Sequence, residues 1–79
     1  MRVEYTLNIA KQIVEEVDRA ERLHLPLNSP HEAYSVILEE LDEYWAEVRK
    51  KREKRDPTRM REELIQIAAM CVRAIRDTL

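Results

Sequence analysis

The sequence predicts an all-α fold, and three observations carry that expectation. Apolar residues recur at helical spacing along three long segments. The prolines, Pro26, Pro30 and Pro57, punctuate the chain between those segments rather than inside them. Nowhere does the chain show a strand pattern, an internal repeat or a low-complexity tract.

The first helix is expected from about Val3 to Leu23. It places Val3, Leu7, Ala10, Ile13, Val14, Val17 and Ala20 on one side, an ordinary amphipathic face. The connection "HLPLNS" is short, which predicts that the first two helices are antiparallel neighbours. "NSPHE" then reads as a helix start. Ser29 is the N-cap, Pro30 takes the first helical position, and Glu32 closes a capping box three residues after Ser29. The second helix is expected from Pro30 to Lys54, with a core stripe of Ala33, Tyr34, Ile37, Leu38, Leu41, Tyr44, Trp45 and Val48.

"DPTR" repeats the start logic, with Asp56 as cap and Pro57 following, and the third helix is expected from Pro57 to Thr78. Its apolar arc covers over half the wheel, from Met70 through Ile67, Met60, Cys71, Leu64, Ile75 and Ala68 to Val72 and Ile65. Arg59, Glu62, Gln66, Ala69, Arg73, Arg76 and Asp77 form the other side. Three helices cannot cover so wide an arc on one of them. The fold class expected is therefore an all-α, three-helix chain that completes a helical bundle by oligomerisation.

Length and composition agree. With 79 residues the chain is one domain at most, and a monomer of that size buries only about 60% of its unfolded surface. Cys71 is the only cysteine, so there is no disulfide framework and no cysteine-based zinc site. A lone thiol in an apolar run reads as a small buried hydrophobe in a reducing compartment. No stretch is long enough to span a membrane and the N-terminus lacks a signal-peptide core, so a soluble cytoplasmic protein is expected. There is no glycine. That excludes the Walker A loop, the dinucleotide fingerprint and the nucleophile elbow, so any phosphate must be handled by side chains or metal. A net charge of −2 argues against bulk attraction of polyanions.

"ILEELDEYWAEV", residues 37–48, packs five carboxylates into twelve residues. Glu39, Glu43 and Glu47 stack at i,i+4, and each like-charge pair costs roughly 0.2–0.5 kcal/mol. Glu40 lies beside them, nearest the core edge, and only Glu47 has a cation four residues on, Lys51. On the third helix Glu63 falls inside the apolar arc. A carboxylate there needs compensation, either from an arginine such as Arg61 or Arg73, or from a divalent cation shared with the second helix. Mg²⁺ suits such oxygen ligands and keeps waters and substrate phosphates in its shell.

Glu39-Glu40-x-x-Glu43, followed one helix later by Glu63-x-x-Gln66, resembles the E-E-x-x-E … E-x-x-D signature of MazG-like, all-α nucleoside triphosphate pyrophosphohydrolases. The resemblance spans Ser29 to about Arg73, and Gln66 stands where that family has aspartate. It implies helical subunits that form homodimers or homotetramers, and Mg²⁺-dependent (or Mn²⁺-dependent) hydrolysis of a nucleoside triphosphate to the monophosphate and pyrophosphate. It makes Glu39, Glu40, Glu43 and Glu63 the catalytic carboxylates and metal ligands, with Gln66 as a further, neutral ligand.

The basic run "RKKREKR", Arg49 to Arg55, reads first as cations favouring a helix C-terminus. Within it Lys51 and Lys54 are the candidates for contact with nucleotide phosphates. Two rival functions stand beside the enzyme. One is a non-catalytic helical oligomerisation or partner-binding module that kept the fold. The other is a small nucleic-acid-binding module using the basic run, although no aromatic residues interleave it to stack on bases. His24 and His31 are not at metal spacing and read as structural.

Overall fold

The computed structural model describes residues 2–79 and is built from three helices, α1 (Arg2–Leu23), α2 (Pro30–Val48) and α3 (Pro57–Thr78), with a short 3-10 turn at Arg52–Lys54. The fold is all-α. Among the described residues no helix is long and apolar enough to cross a membrane.

The helix starts follow from their caps. Ser29 Oγ accepts from the Glu32 backbone N–H at 3.1 Å, with Pro30 at the first helical position. The Glu32 carboxylate reaches back one residue further than a standard capping box, to the Asn28 N–H at 3.1 Å. Asp56 Oδ1 accepts from the N–H groups of Thr58 and Arg59 at 3.0 and 3.3 Å. The end of α2 departs from expectation. The helix stops at Val48 rather than Lys54, because Arg55 folds back and its Nε donates to the carbonyls of Val48 and Lys50 at 2.9 and 3.2 Å. The basic run thus begins at the C-cap of α2, Arg49, and continues through the 3-10 turn at Arg52–Lys54.

α3 is the centre of the arrangement. Both α1 and α2 pack on it, and their backbones make no contact with each other. The expected antiparallel pairing of the first two helices is therefore corrected. The loop between them is drawn across the C-terminal end of α3. Asp77 Oδ2 accepts from the Leu27 N–H at 2.9 Å, Arg73 Nη2 donates to the Leu25 carbonyl at 3.1 Å, and Arg76 pairs with Glu21. Leu27 is buried beside Ala33 and Met70, with Val36, Ile37 and Ala74 around them. Val17 and Ala20 of α1 and Ala69 of α3 are the other buried apolar residues.

The rest of the apolar surface is open. The buried or half-buried residues of α2 are Glu32, Ala33, Val36, Ile37, Glu40, Tyr44, Glu47 and Val48, of which Ala33, Val36 and Ile37 pack with Met70 and Ala74 of α3. Half of the expected core stripe faces away: Tyr34, Leu38, Leu41 and Trp45 are 68, 42, 44 and 58% exposed. Val3, Leu7 and Val14 on α1 and Leu64, Val72 and Ile75 on α3 are exposed as well. Conversely, Ala69 and Arg73 from the supposed polar side of α3 are buried, because α1 and the loop lie over them. The dimensions agree with an open arrangement. The radius of gyration is 13.7 Å, against about 12 Å for a compact chain of this length. The accessible surface is 6371 Å², against about 5,000 Å² for a compact monomer of this mass.

Candidate metal centre

The Ser29 cap sets the register of α2, and that register turns Glu40 and Glu43 towards the first half of α3, where Glu63 sits. One carboxylate oxygen from each of Glu40, Glu43 and Glu63 lies within 4.8 Å of the other two. The three come from two helices, so i,i+3 spacing on α2 supplies two oxygens and helix packing supplies the third. Glu63 is only 6% exposed. Its nearest cation is Arg59, one turn earlier, whose Nε stands 3.7 Å from Glu63 Oε1, too far for a hydrogen bond. Neither Arg61 nor Arg73 compensates it. Arg61 donates to Tyr5 and Gln12, and Arg73 to the Leu25 carbonyl.

Two carboxylate oxygens, Glu40 Oε2 and Glu63 Oε2, are buried without any hydrogen-bond partner. Unsatisfied buried acceptors are rare and costly, more so when charged. The Glu40 carboxyl is pushed above its ordinary value by burial first, then by the crowding charges of Glu43, Glu63 and Glu39. The Glu63 carboxyl is likewise raised, by burial and then by Glu43, while Arg59 pulls weakly the other way. Hard oxygen donors, two of them orphaned and crowded by like charge, suit a Mg²⁺-sized cation.

Glu47 has a different job. Sequence spacing put it in the same stack, yet it is buried against the start of α3. Its Oε1 accepts from the Asp56 N–H at 2.7 Å, and its Oε2 accepts from Lys50 Nζ at 2.8 Å. The partner is Lys50 and not Lys51. These hydrogen bonds from Lys50 and the Asp56 backbone hold the Glu47 carboxyl below its ordinary value. Opposite effects on stability are therefore expected from one chemical change on one helix. Glu43→Gln should raise the melting temperature in EDTA, each relieved like-charge pair contributing about 0.2–0.5 kcal/mol. Glu47→Gln should lower it, since a charged acceptor for Asp56 is lost. Thermal melts of both variants check this, and shifts of the same sign would erase the division.

Of the other candidates, Glu39 is exposed and lies outside the triad. Gln66 is half-buried and lines a small cleft with Glu40 and Arg73. Lys51 and Lys54 are exposed at the 3-10 turn, and among the described residues neither forms an ion pair. Sequence reasoning missed the pairing of Arg59 and the burial of Arg73. Arg59 was signalled by its i,i+4 spacing to Glu63. The burial of Arg73 had no local signal, because it depends on where the loop crosses α3. No family model, curated protein or solved structure matches the chain.

Proposed function

We propose that this chain is a Mg²⁺-dependent nucleoside triphosphate pyrophosphohydrolase-like protein of MazG-like type, working as a homo-oligomer. The observation that carries the reading is the meeting of Glu40, Glu43 and Glu63 across two helices, with two orphaned oxygens among them. Mg²⁺ held there supplies positive charge to phosphate oxygens and acidifies a bound water. The chain's own part is to hold that charge and to orient the water. Glu40, which belongs to the triad and also lines the neighbouring cleft, is the carboxylate we assign to orient the attacking water. Hydrolysis between the α- and β-phosphates then releases monophosphate and pyrophosphate. A nucleotide panel with Mg²⁺, with and without EDTA, tests this. Pyrophosphate released only with metal supports the reading, and none from any nucleotide overturns it.

A second reading is favoured by the exposed apolar seams, which suit a non-catalytic oligomerisation module. Gln66, neutral where the family has aspartate, points the same way. Gln66→Asp separates the two. Two unit charges about 4 Å apart at an effective dielectric near 20 interact by roughly 4 kcal/mol before desolvation. A net gain on the order of 1 kcal/mol in Mg²⁺ affinity is expected to survive that subtraction. Calorimetric titration of wild type and Gln66→Asp measures it. Equal affinity would place Gln66 outside the site.

A further inference from the structure

Arg73 is 4% exposed, deeper than any other cation described. Its Nη2 donates to the Leu25 carbonyl and its Nη1 contacts Met70 Sδ at 3.6 Å, but its Nε has no partner. Among the described residues no carboxylate pairs with it. Arg19, Arg22, Arg59 and Arg76 each have an acidic partner. A guanidinium stays charged at any relevant pH, so burial cannot be relieved by losing a proton as it can for lysine. Its charge calls for an anion.

Arg73 lines a cleft of about 130 Å³ between α1 and α3 that reaches Glu40 on α2. The charged and titratable groups around it are Glu16, Arg19, His24, Glu40 and Arg73, with Gln66 beside them. Arg19 is committed to Glu16 through two hydrogen bonds of 3.0 and 2.6 Å. That leaves Arg73 as the cation of the cleft without a carboxylate, its Nε unpartnered and its two Nη groups at the Leu25 carbonyl and Met70, and Glu40 as the link to the carboxylate triad. The volume is well under the roughly 300 Å³ of the smallest ordinary small-molecule pockets. A nucleoside does not fit, but a single phosphoryl group does.

We infer that the Arg73 cleft is an oxyanion subsite that receives one phosphoryl group of a ligand whose neighbouring oxygens are chelated by the cation on Glu40, Glu43 and Glu63. The guanidinium fork matches two phosphate oxygens, and the cation offsets the repulsion that Glu40 alone exerts on an anion. The inference rests on the metal-centre reading above and adds to it a residue outside the acidic signature.

Isothermal titration with inorganic pyrophosphate in Mg²⁺ tests it on wild type, Arg73→Met and Arg73→Lys, with Mg²⁺ titrated alone as the control. Arg73→Met should weaken pyrophosphate binding by about tenfold or more and leave Mg²⁺ affinity within about twofold. Its metal-free melting temperature reports the balance between relief of an uncompensated buried charge and loss of the Leu25 carbonyl's donor, and circular dichroism confirms that the helices remain. Arg73→Lys keeps the charge without the fork and should fall between; it carries the test alone should Arg73→Met fail to fold. Unchanged pyrophosphate affinity in the variants overturns the subsite. So does a wild type that binds Mg²⁺ but not pyrophosphate, with the metal centre left standing. A wild type that binds no Mg²⁺ removes both.

Discussion

At micromolar concentration the chain is expected to sediment as two or more copies, and Leu41→Arg is expected to reduce it to a helical species of 9.5 kDa. Tyr34, Leu38, Leu41 and Trp45 follow one another at spacings of four, three and four, the seam of a helix that packs on another helix. Among the described residues they stay 42–68% exposed. The surface in excess of a compact monomer is on the order of 1,300 Å², more than the roughly 800 Å² each partner gives to a standard interface. Covering one half-exposed side chain of this size contributes on the order of 1 kcal/mol. Two copies of the α2 seam thus yield roughly 8 kcal/mol, comparable with the about 4–15 kcal/mol cost of association. Leu64, Val72 and Ile75 on α3 supply more. A charge at Leu41, in the middle of the seam, costs several kcal/mol once desolvated and weakens association by at least about a hundredfold. Because Leu41 is exposed within one chain, the variant keeps its helices, which circular dichroism verifies. A wild type that sediments only at 9.5 kDa would end the oligomer reading.

How far the sequence could be read depended on how local each determinant is. Caps are local, so the starts of α2 at Pro30 and of α3 at Pro57 were legible from Ser29, Asp56 and the prolines. The end of α2 is made by Arg55 reaching back to Val48 and Lys50, a contact no periodicity announces in a run of cations without glycine. The apolar arcs gave each helix a buried side but not the helix that would cover it. With α3 in the middle, the α2 seam expected in the core faces outwards, and Arg73 from the polar side is buried. Glu63 could be singled out because a carboxylate among Met70, Ile67 and Ala74 breaks its own pattern. Glu47 could not be told from Glu43, since both occupy the same edge of α2 and only the packing of the Asp56 turn separates them.

Glu63→Gln is expected to abolish the response to Mg²⁺ and to cut any pyrophosphate release by at least about a hundredfold, since losing even an outer-shell partner of a metal costs about 10–100-fold. In wild type, Mg²⁺ at about 100 times its Kd should add about 2.7 kcal/mol to stability. The pH dependence gives the same site a second signature. Glu40 and Glu63 have folded-state pKa values above their ordinary 4.5. Below 4.5 both are protonated folded or unfolded, and their contribution is fully present. As pH rises through the raised values, the folded chain must ionise two crowded carboxyls, and that stability is lost. The melting temperature in EDTA should therefore fall as pH rises through that window towards neutrality. Mg²⁺ competes with those protons, so its increment should grow over the same window. Glu47 works in the opposite sense. Its lowered pKa contributes stability above 4.5 that disappears as pH falls through the folded value, so an acid limb remains whatever happens at the triad. Glu63→Gln should thus keep the acid limb, flatten the decline towards neutral pH and melt above wild type in EDTA. Melts from acid to neutral pH, in EDTA and in Mg²⁺, measure all three. A variant that melts below wild type at neutral pH while still responding to Mg²⁺ would make Glu63 the structural partner of Arg59, and the triad a solvated acidic face.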